Sequence, residues 1–355
     1  MKAVILVGGQ GTRLRPLTCN LPKAIVPILN RPFMEHLISY LKRHGITEVI
    51  LAMGYMPDPI QEYLGDGEGL GVRLTYVVEG TPLGTSGAIK NVEQYLDGPF
   101  VVFNGDIITD IDLTSMMEQH KKLKPSVSIA LTPVDNPTIY GVVETDSRGM
   151  VKRFVEKPSL DQVTTNMINA GIYILEHDVL DLIPKSMPSM FENYLFPKLL
   201  KMGKPVLSFA SDAYWIDIGT PEKYLKTNHD LLDRGDISND FSGNEAAIHE
   251  SVIIEGPALI AENCRIHEGA IIRGPTVVGP NCTIGKEAVI ERSVLWRNST
   301  ICEKAVLKNT SVCSFASIGE RSRLIDNCVV GDNVSIAPDT VLGTGSRIWP
   351  DEIGN

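Results

Sequence analysis

The chain has 355 residues, more than one hydrophobic core usually supports, so its length alone predicts two domains. Apolar residues make up 43% of the chain and charged residues 21%, the balance of a globular protein rather than a disordered or fibrous one. The formal net charge of −10 has the wrong sign for a protein that neutralises a phosphate backbone, and we therefore expect no nucleic acid among the partners.

The sequence opens on an apolar strand. Residues 1–7 run directly into Gly8 and Gly9 without a cleavage-site pattern, and no stretch approaches the roughly 18 consecutive apolar residues of a membrane helix. The six cysteines include no C-x-x-C pair, so neither a zinc knuckle nor a disulfide framework is expected. Together these features predict a cytoplasmic protein with no membrane partner.

The first two thirds of the chain alternates short apolar runs with helical stretches, the pattern of a mostly parallel α/β sheet. Strands are predicted at residues 4–7, 48–52, 74–78, 100–104 and 127–132, and helices at 32–44, 86–95 and 221–232. Ligands of such sheets bind at the carboxyl ends of the strands. The segments that follow strands are therefore the candidate site.

From about Ala246 the apolar residues recur with a period of six. The position two before each aliphatic residue is almost always small, and Cys264, Cys282 and Cys328 stand at such positions. This hexapeptide repeat predicts a parallel β-helix, in which every rung buries its aliphatic residue in a stacked core. The three cysteines are then small buried residues without a redox role.

The repeat is predicted to begin after a linker, and it departs from its period of six at two places. Residues 235–245 are rich in Gly, Asp, Ser and Asn, and we predict that they link a catalytic domain at 1–234 to a β-helix domain at 246–355. The steps 290–295 and 307–312 are one residue shorter than the period. Because the ends and faces of β-helices often stack, we expect a homo-oligomer formed through this domain.

A glycine-rich loop follows the first strand. Residues 8–12, Gly-Gly-Gln-Gly-Thr, expose backbone N–H groups that can bind a phosphate, and Arg13 and Lys23 add positive charge. The loop lacks the G-x-x-x-x-G-K-[ST] pattern, and Leu14 stands where a dinucleotide-binding fingerprint has glycine. The loop is therefore predicted to bind phosphates, but not as part of a P-loop or a dehydrogenase.

This segment resembles the signature of the sugar-1-phosphate nucleotidylyltransferase family, G-G-x-G-T-R-L followed about ten residues later by P-K, here Pro22-Lys23. The resemblance covers the whole chain and implies a mixed, mostly parallel Rossmann-like (GT-A type) nucleotidyltransferase domain followed by a left-handed parallel β-helix. It also implies an enzyme that joins an NTP to a sugar-1-phosphate and releases pyrophosphate. One departure is Ala24, where most members have proline, and it concerns the stiffness of the loop rather than its chemistry.

The resemblance also implies roles for individual residues. Arg13 and Lys23 match the catalytic residues of the family, and Asp106 and Asp217 match its metal ligands, a pair of carboxylates that suits Mg²⁺. The implied nucleotide-binding residues are Leu6, Gly8, Gly9, Gly11, Thr12, Glu79, Gly84, Thr85 and Gly105. The implied sugar-phosphate-binding residues are Gly141, Glu156, Lys157 and Asn169.

The identity of residue 79, a glutamate, predicts which base the nucleotide substrate carries. The Watson–Crick edge of guanine has two adjacent donors that one carboxylate can accept, whereas uracil and thymine have a single donor between two acceptors. Family members that use UTP or dTTP tend to have glutamine at the matching place. We therefore expect GTP as the nucleotide, and the chain as a whole is most similar to members that use mannose-1-phosphate.

Three alternatives stay open. One is a glucose-1-phosphate thymidylyl- or uridylyltransferase. A second is a non-catalytic regulatory paralogue that binds NDP-sugar, although such a protein usually loses part of the charged set that is complete here. A third is a hexapeptide acyltransferase, which needs a catalytic base in the β-helix, and turnover of acetyl-CoA would identify it.

Overall fold

The structure is a computed structural model that describes residues 1–185, 187–235 and 246–350, together with the short strand Ile353–Gly354. The chain forms two compact units, one of Met1–Gly9 with Met34–Asp217 and the other of Gln10–Phe33 with Ile218–Asn355. Apart from Gly235, the predicted linker 235–245 lies outside the described residues. The domain limits 1–234 and 246–355 stay a prediction. Of the helices in the described ranges, none is long and apolar enough to cross a membrane.

The first unit is built on a mixed sheet with parallel strands at its centre, as predicted. Lys2–Val7 pairs in parallel with Glu48–Met53 on one side and with Phe100–Asn104 on the other. Across the sheet the strand order is Val151–Glu156, Gly141–Thr145, Met167–Leu175, Phe100–Asn104, Lys2–Val7, Glu48–Met53 and Arg73–Val78. Val127–Pro133 pairs with Met167–Leu175, and Val206–Ala210 pairs with Val127–Pro133.

Helices connect these strands, at Phe33–Arg43, Pro57–Leu64, Gly84–Asn91, Leu113–Leu123 and Phe196–Lys201. All the predicted strands are present, with small differences at their ends. The helix predicted at 86–95 stops at Asn91 and the chain continues as a 3-10 turn over Glu93–Tyr95, because the N–H of Val92 donates to Ile89, three residues back. Strands at Gly141–Thr145, Val151–Glu156 and Met167–Leu175 are not predicted, since polar residues interrupt their apolar pattern.

The core of the first unit packs strands against helices. Val102 and Ile129 of the sheet belong to one buried cluster with Ile89 and Phe196 of the helices, and the cluster includes the fully buried Tyr173. Burial of each such aliphatic or aromatic side chain contributes about 1.5–3 kcal/mol to folding. The sheet edge that carries the candidate site is therefore held by a rigid framework.

The second unit contains a parallel β-helix of three sheets, and each coil of the chain passes once through each sheet. The first sheet stacks Ala247–Ile248, Arg265–Ile266, Thr283–Ile284, Thr300–Ile301, Ser317–Ile318, Ser335–Ile336 and Ile353–Gly354. The second stacks Ile253–Glu255, Ile271–Arg273, Val289–Glu291, Val306–Lys308, Arg323–Ile325 and Val341–Leu342. The third stacks Ala258–Ile260, Thr276–Val278, Val294–Leu295, Ser311–Val312, Val329–Val330 and Arg347–Ile348.

The hexapeptide period builds the core of this β-helix. The aliphatic residues of successive coils stack on one another, and the predicted small residues Cys264, Cys282 and Cys328 are buried beside them. Burial raises the pKa of the Cys282 and Cys328 thiols to about 12, so both are protonated and unreactive at neutral pH. The predicted burial of Cys264, Cys282 and Cys328 is confirmed.

The two short steps of the repeat are one-residue deletions that lie at the same corner of successive coils. Ile290 pairs with Leu307 where the two steps begin, and Leu295 pairs with Val312 where they end. Because both coils lose a residue at the same place, the register of the sheets is kept. The left-handed φ of 47° at Arg292 lies within the first of these corners.

Residues 10–33 and one helix complete the second unit. The segment forms the 3-10 turns Thr12–Leu14 and Lys23–Ile25 and the two-stranded hairpin Pro27–Ile28 and Arg31–Pro32. The helix Pro221–Asp233 matches the predicted one, with proline at its first position. The Thr220 side chain caps it by accepting the N–H of Lys223 over 3.4 Å.

Candidate active site

The parallel strands of the first unit bring three predicted site segments to one edge of the sheet. Gly8 directly follows Lys2–Val7, the turn of Gly105 and Asp106 follows Phe100–Asn104, and Glu79 follows Arg73–Val78. These strands run parallel to their neighbours, so their carboxyl ends lie at the same edge. This is the edge at which a sheet of this class binds its ligand.

The two predicted metal ligands are close in the fold although they are far apart in sequence. Asp106 directly precedes the strand Ile107–Thr109, which pairs in antiparallel fashion with Trp215–Asp217. Asp217 lies opposite the first residue of that strand. The Tyr140 hydroxyl donates to Oδ1 of Asp217 over 2.8 Å and thereby orients this carboxylate.

The chemistry of this donor set fits Mg²⁺. Carboxylate oxygens are hard ligands, and Mg²⁺ is usually bound by one or two carboxylates together with waters and substrate phosphates. Within residues 1–185, 187–235 and 246–350, no group of three or more His, Cys, Asp or Glu side chains forms a closed metal cage. The pair Asp106 and Asp217 matches the number of carboxylates that Mg²⁺ usually takes from a protein.

The backbone joins the glycine loop to the turn that carries Asp106. The Gly105 N–H donates to the Leu6 carbonyl over 2.9 Å, and a Cβ at position 105 would lie 2.4 Å from that oxygen, so only glycine fits. Gly8 and Gly9 are different, because a Cβ built on either would meet no atom within 4 Å in the described chain. Their backbone faces open space that a phosphate can approach.

The predicted sugar-phosphate residues lie on paired strands. Gly141 is opposite Glu156, and a Cβ at position 141 would lie 2.8 Å from Oε2 of Glu156. The N–H of Lys157 donates to the Tyr140 carbonyl over 2.9 Å. Desolvation raises the pKa of Glu156, and the adjacent Lys157 opposes that shift. Tyr140 therefore joins this group to Asp217, to which its hydroxyl donates.

Asn169 lies where the strand Met167–Leu175 departs from regular pairing. Its Oδ1 accepts the N–H of Gly171 over 3.0 Å, and its Nδ2 donates to the Tyr173 hydroxyl over 2.8 Å. Gly171 has a φ of 71°, and a Cβ there would lie 2.6 Å from Nδ2 of Asn104. The irregular strand thus presses against the residue that precedes the Gly105 turn.

The structure adds Glu192 to this region, a residue that the sequence analysis does not single out. Its Oε2 is buried and has no hydrogen-bond partner among the described residues. Burial raises the pKa of Glu192, and the charge of Glu156 raises it further. Burial raises the pKa of Tyr173, and the charges of Glu192 and Glu156 raise it further. No motif marks Glu192, because it stands at an ordinary polar position of the helical turn Phe191–Leu195.

The segment from Glu79 to Thr85, which carries three of the predicted nucleotide-binding residues, is held by hydrogen bonds to its own side chains. Oε2 of Glu79 accepts the N–H of Leu83 over 3.0 Å; burial raises the pKa of Glu79, and this bond opposes the shift. Carboxylate oxygens have several lone pairs, so Glu79 can still accept a ligand donor. Gly84 and Thr85 contact residues 189–191: a Cβ at Gly84 would lie 2.6 Å from a carbonyl oxygen there, and the Thr85 hydroxyl accepts an N–H over 2.9 Å.

The other predicted phosphate-binding residues, Gly11, Thr12, Arg13 and Lys23, belong to the second unit. Gly11, with a φ of 63°, precedes the 3-10 turn Thr12–Leu14, whose Arg13 is exposed. A Cβ at Gly11 would lie 3.4 Å from Cβ of Lys23, and the Thr18 hydroxyl donates to the Gly11 carbonyl over 2.7 Å. Within this unit the loop therefore folds Gly11 directly against Lys23.

The sheet, the β-helix and the paired carboxylates define a class of protein. Residues 2–234 match the family described as nucleotidyl transferase, and residues 237–342 match the EIF2B subunit epsilon LbH domain, in agreement with the predicted left-handed β-helix. The chain belongs to the nucleotidyl transferase family, which confirms the prediction made from its glycine-rich signature.

Individual relatives narrow the class. The chain is 40% identical over 363 residues to a mannose-1-phosphate guanyltransferase of Aspergillus oryzae, with 98% of this chain and 95% of the relative covered. It is 33% identical to a UTP–glucose-1-phosphate uridylyltransferase of Synechocystis, with 93% and 87% covered. The crystal structure of HddC from Yersinia pseudotuberculosis complexed with GMP-PN has a TM-score of 0.57 and 33% identity, and it matches 65% of this chain and 99% of HddC.

Proposed function

We propose that this chain transfers a guanylyl group from GTP to mannose-1-phosphate and forms GDP-mannose and pyrophosphate. The observation that carries the proposal is the placement of Asp106 and Asp217 beside each other, at the sheet edge where Gly8 begins the phosphate loop. The guanyltransferase of Aspergillus oryzae supports both substrates, and the GMP-PN complex of HddC supports the guanine nucleotide.

The reaction needs positioning and charge neutralisation more than proton transfer. A phosphate oxygen of the sugar-1-phosphate attacks the α-phosphorus of GTP, and the new P–O bond forms as the bond to pyrophosphate breaks. The second pKa of a phosphate monoester is about 6, so the nucleophile is already mostly dianionic at neutral pH. No general base or covalent enzyme intermediate is required.

The charged residues have different roles in positioning the substrates and neutralising their charge. Arg13 and the backbone N–H groups of residues 8–12 hold the triphosphate, and Lys23 offsets charge at the reacting phosphates. Asp106 and Asp217 hold Mg²⁺, which when bound neutralises phosphate charge.

The sugar and the base are recognised by other residues. Glu156 and Asn169 bind hydroxyl groups of the sugar, and Lys157 binds its phosphate as a point charge. Glu79 accepts N1–H and N2–H₂ of guanine. Homo-oligomer formation through the β-helix and a cytoplasmic location belong to the same proposal.

A second candidate function is uridylyl transfer to glucose-1-phosphate, which the similarity to the Synechocystis enzyme favours. It differs from the first only in the base and the sugar. Both functions use the same phosphate and metal residues.

Pyrophosphate release from GTP in the presence of mannose-1-phosphate and Mg²⁺ tests the proposed site. We expect Asp217→Asn to lower kcat by about 10²-fold, because loss of a preorganised charge near a transferring phosphate typically costs that much. The matched control is Asp212→Asn, the same change at an exposed aspartate nearby in sequence, which should leave kcat unchanged. Full activity of Asp217→Asn, or of the wild type in excess EDTA, would contradict the metal assignment.

A further inference from the structure

The segment around Lys23 is held from both sides by residues of the β-helix and of the helix Pro221–Asp233. On the upstream side, Nδ2 of Asn20 donates to Oδ2 of Asp332 over 3.3 Å. The other oxygen of Asp332 accepts the N–H of Ser314 over 3.0 Å, which fixes the orientation of the carboxylate. Asp332 is 6% exposed and Asn20 is exposed, so the carboxylate side of this contact is shielded from water.

On the downstream side, two consecutive hydrogen bonds of buried side chains connect the β-helix to the segment. The indole N–H of Trp296 donates to the Tyr224 hydroxyl over 2.8 Å, and that hydroxyl donates to the Pro27 carbonyl over 2.9 Å. Indole N–H can only donate and a carbonyl can only accept, so the direction of both bonds is determined. Trp296 and Tyr224 are both buried, and their rings pack edge to face.

The hairpin after Lys23 depends on the same framework. Leu29 and Asn30 have φ values of 47° and 62°, a left-handed conformation that a branched residue such as leucine rarely adopts. The N–H of Leu29 donates to Oδ1 of Asn228 over 2.9 Å, and Nδ2 of Asn30 donates to the Val278 carbonyl over 3.0 Å. These bonds from outside the segment stabilise a turn that its own sequence disfavours.

We propose that the β-helix acts in catalysis by fixing the position of Lys23, with Asp332 and Trp296 as positioning residues. This inference rests on the proposed function, in which Lys23 offsets charge at the reacting phosphates. Residues 10–32 contain only turns and two-residue strands, so they have little regular structure of their own to fix the path of the backbone around Lys23. Contacts on both sides of Lys23 supply that order, and they come from a domain whose sequence alone predicts only assembly.

A charge swap tests the upstream contact. Asn20→Asp sets two carboxylates against each other, and we expect kcat to fall about tenfold or more, since small displacements of a positioned group can cost 10²-fold. Adding Asp332→Asn returns the amide–carboxylate pair in the opposite order, because the new amide can accept from Ser314 and donate to residue 20. The double variant should recover kcat to within about threefold of wild type.

Trp296→Phe tests the downstream hydrogen bonds. It also provides an independent test of the positioning role if Asn20→Asp does not fold. It keeps an aromatic ring but removes the donor to Tyr224, and we expect kcat to fall severalfold. The control is Thr310→Val, which removes a buried hydroxyl that donates to the carbonyls of Lys308 and Leu324 inside the β-helix. This control should lower the melting temperature by a similar amount and leave kcat unchanged.

Lys23→Ala, measured in the same assay, tests the role of Lys23 separately from the positioning role of the β-helix. If Lys23→Ala is as active as wild type, the proposed role of Lys23 is wrong. If Lys23→Ala loses activity but folded Asn20→Asp and Trp296→Phe keep wild-type kcat, the positioning role of the β-helix is wrong. The same conclusion holds if the charge swap fails to restore kcat or if Thr310→Val lowers kcat as much as Trp296→Phe.

Discussion

Two carboxylates of the candidate site already accept hydrogen bonds from the protein. Oδ1 of Asp217 accepts the Tyr140 hydroxyl, and Oε2 of Glu79 accepts the N–H of Leu83. Each bond fixes the direction of the carboxylate while the group keeps further lone pairs for a ligand. At the scale of the residue, the site is therefore oriented before substrate binds, which reduces the ordering cost of binding.

Substitution of Gly141 tests the predicted sugar-phosphate-binding residues. A Cβ at this position would lie 2.6 Å from the Phe154 ring and 2.8 Å from Oε2 of Glu156, so Gly141→Ala must displace Glu156 or the ring. We expect the KM for mannose-1-phosphate to rise about tenfold or more, the loss of roughly one hydrogen bond to a charged group, with the KM for GTP unchanged. Steady-state kinetics measures both, and Gly98→Ala, where a Cβ meets no atom within 4 Å in the described chain, is the control. An unchanged KM for the sugar would remove Glu156 from the proposed site.

Glu79 carries the prediction of base choice. Glu79→Gln keeps one oxygen for the Leu83 N–H but replaces the other acceptor by a donor, which then faces the donors of guanine. A bidentate base contact discriminates by roughly 1–3 kcal/mol, so kcat/KM for GTP should fall about 5- to 150-fold and its advantage over UTP and dTTP should narrow. Kinetics with each nucleotide gives the ratio. If the ratio does not change, Glu79 does not read the base.

At the scale of the element, the β-helix depends on its stacked aliphatic residues. Ile272 is fully buried, so Ile272→Asp places an unpaired charge inside a rung and should destabilise the domain by several kcal/mol. Ile271→Asp is the matched control, because this neighbour is only half-buried and points to the other face of the same strand. Chemical denaturation should show a much larger loss of stability for Ile272→Asp, and equal losses would contradict the assigned faces.

The helix Pro221–Asp233 contains a histidine that couples stability to pH. Nε2 of His229 donates to the Arg292 carbonyl over 2.9 Å. Burial, together with the charge of Arg292, lowers the pKa of His229 from 6.5 to about 4, against the opposing effects of the hydrogen bond to the Arg292 carbonyl and the charges of Asp233 and Asp230. Between these two values the unfolded chain binds a proton that the folded chain does not. The stability contributed by the neutral ring is therefore complete above about pH 6.5 and is lost as the pH falls towards 4.

His229→Gln removes this titration while its amide can still donate to the Arg292 carbonyl. We expect the melting temperature of wild type to fall more between about pH 7 and pH 5 than that of His229→Gln. The exposed His249→Gln should behave as wild type does. Equal falls in wild type and His229→Gln would show that His229 does not titrate as the structure implies.

Much of the fold can be predicted from sequence because its patterns are local. The period of six predicts the β-helix coil by coil, and apolar runs predict the parallel strands near their observed ends. Two stacked deletions cannot be told from bulges in this way, since only the pairing of Ile290 with Leu307 shows that both lie at one corner. The strands that carry Gly141, Glu156 and Asn169 are missed because polar residues and a register shift hide them.

The candidate site is predictable only where a motif marks it. Asp106 and Asp217 are predicted from the family resemblance, but their closeness depends on the antiparallel pairing of two short strands. Glu192 has no motif, because its place near Glu156 depends on how a helix packs. The contacts of Asn20 with Asp332 span 312 positions of sequence and are equally invisible to a local pattern.

At the scale of the whole molecule, the predicted site residues are spread over the chain, from Arg13 and Lys23 near its start to Asp106 and Asp217. Nearly the full length of the chain is similar to the guanyltransferase of Aspergillus oryzae. The intact protein is therefore the right material for the deciding assay.

The most direct test is pyrophosphate release by the full-length chain with GTP, UTP, dTTP and ATP, each combined with mannose-, glucose- and N-acetylglucosamine-1-phosphate in the presence of Mg²⁺. We predict that GTP with mannose-1-phosphate gives the highest kcat/KM and that release requires both substrates. A preference for UTP or dTTP would contradict the guanylyl assignment, and the absence of release from every pair would contradict nucleotidyl transfer itself.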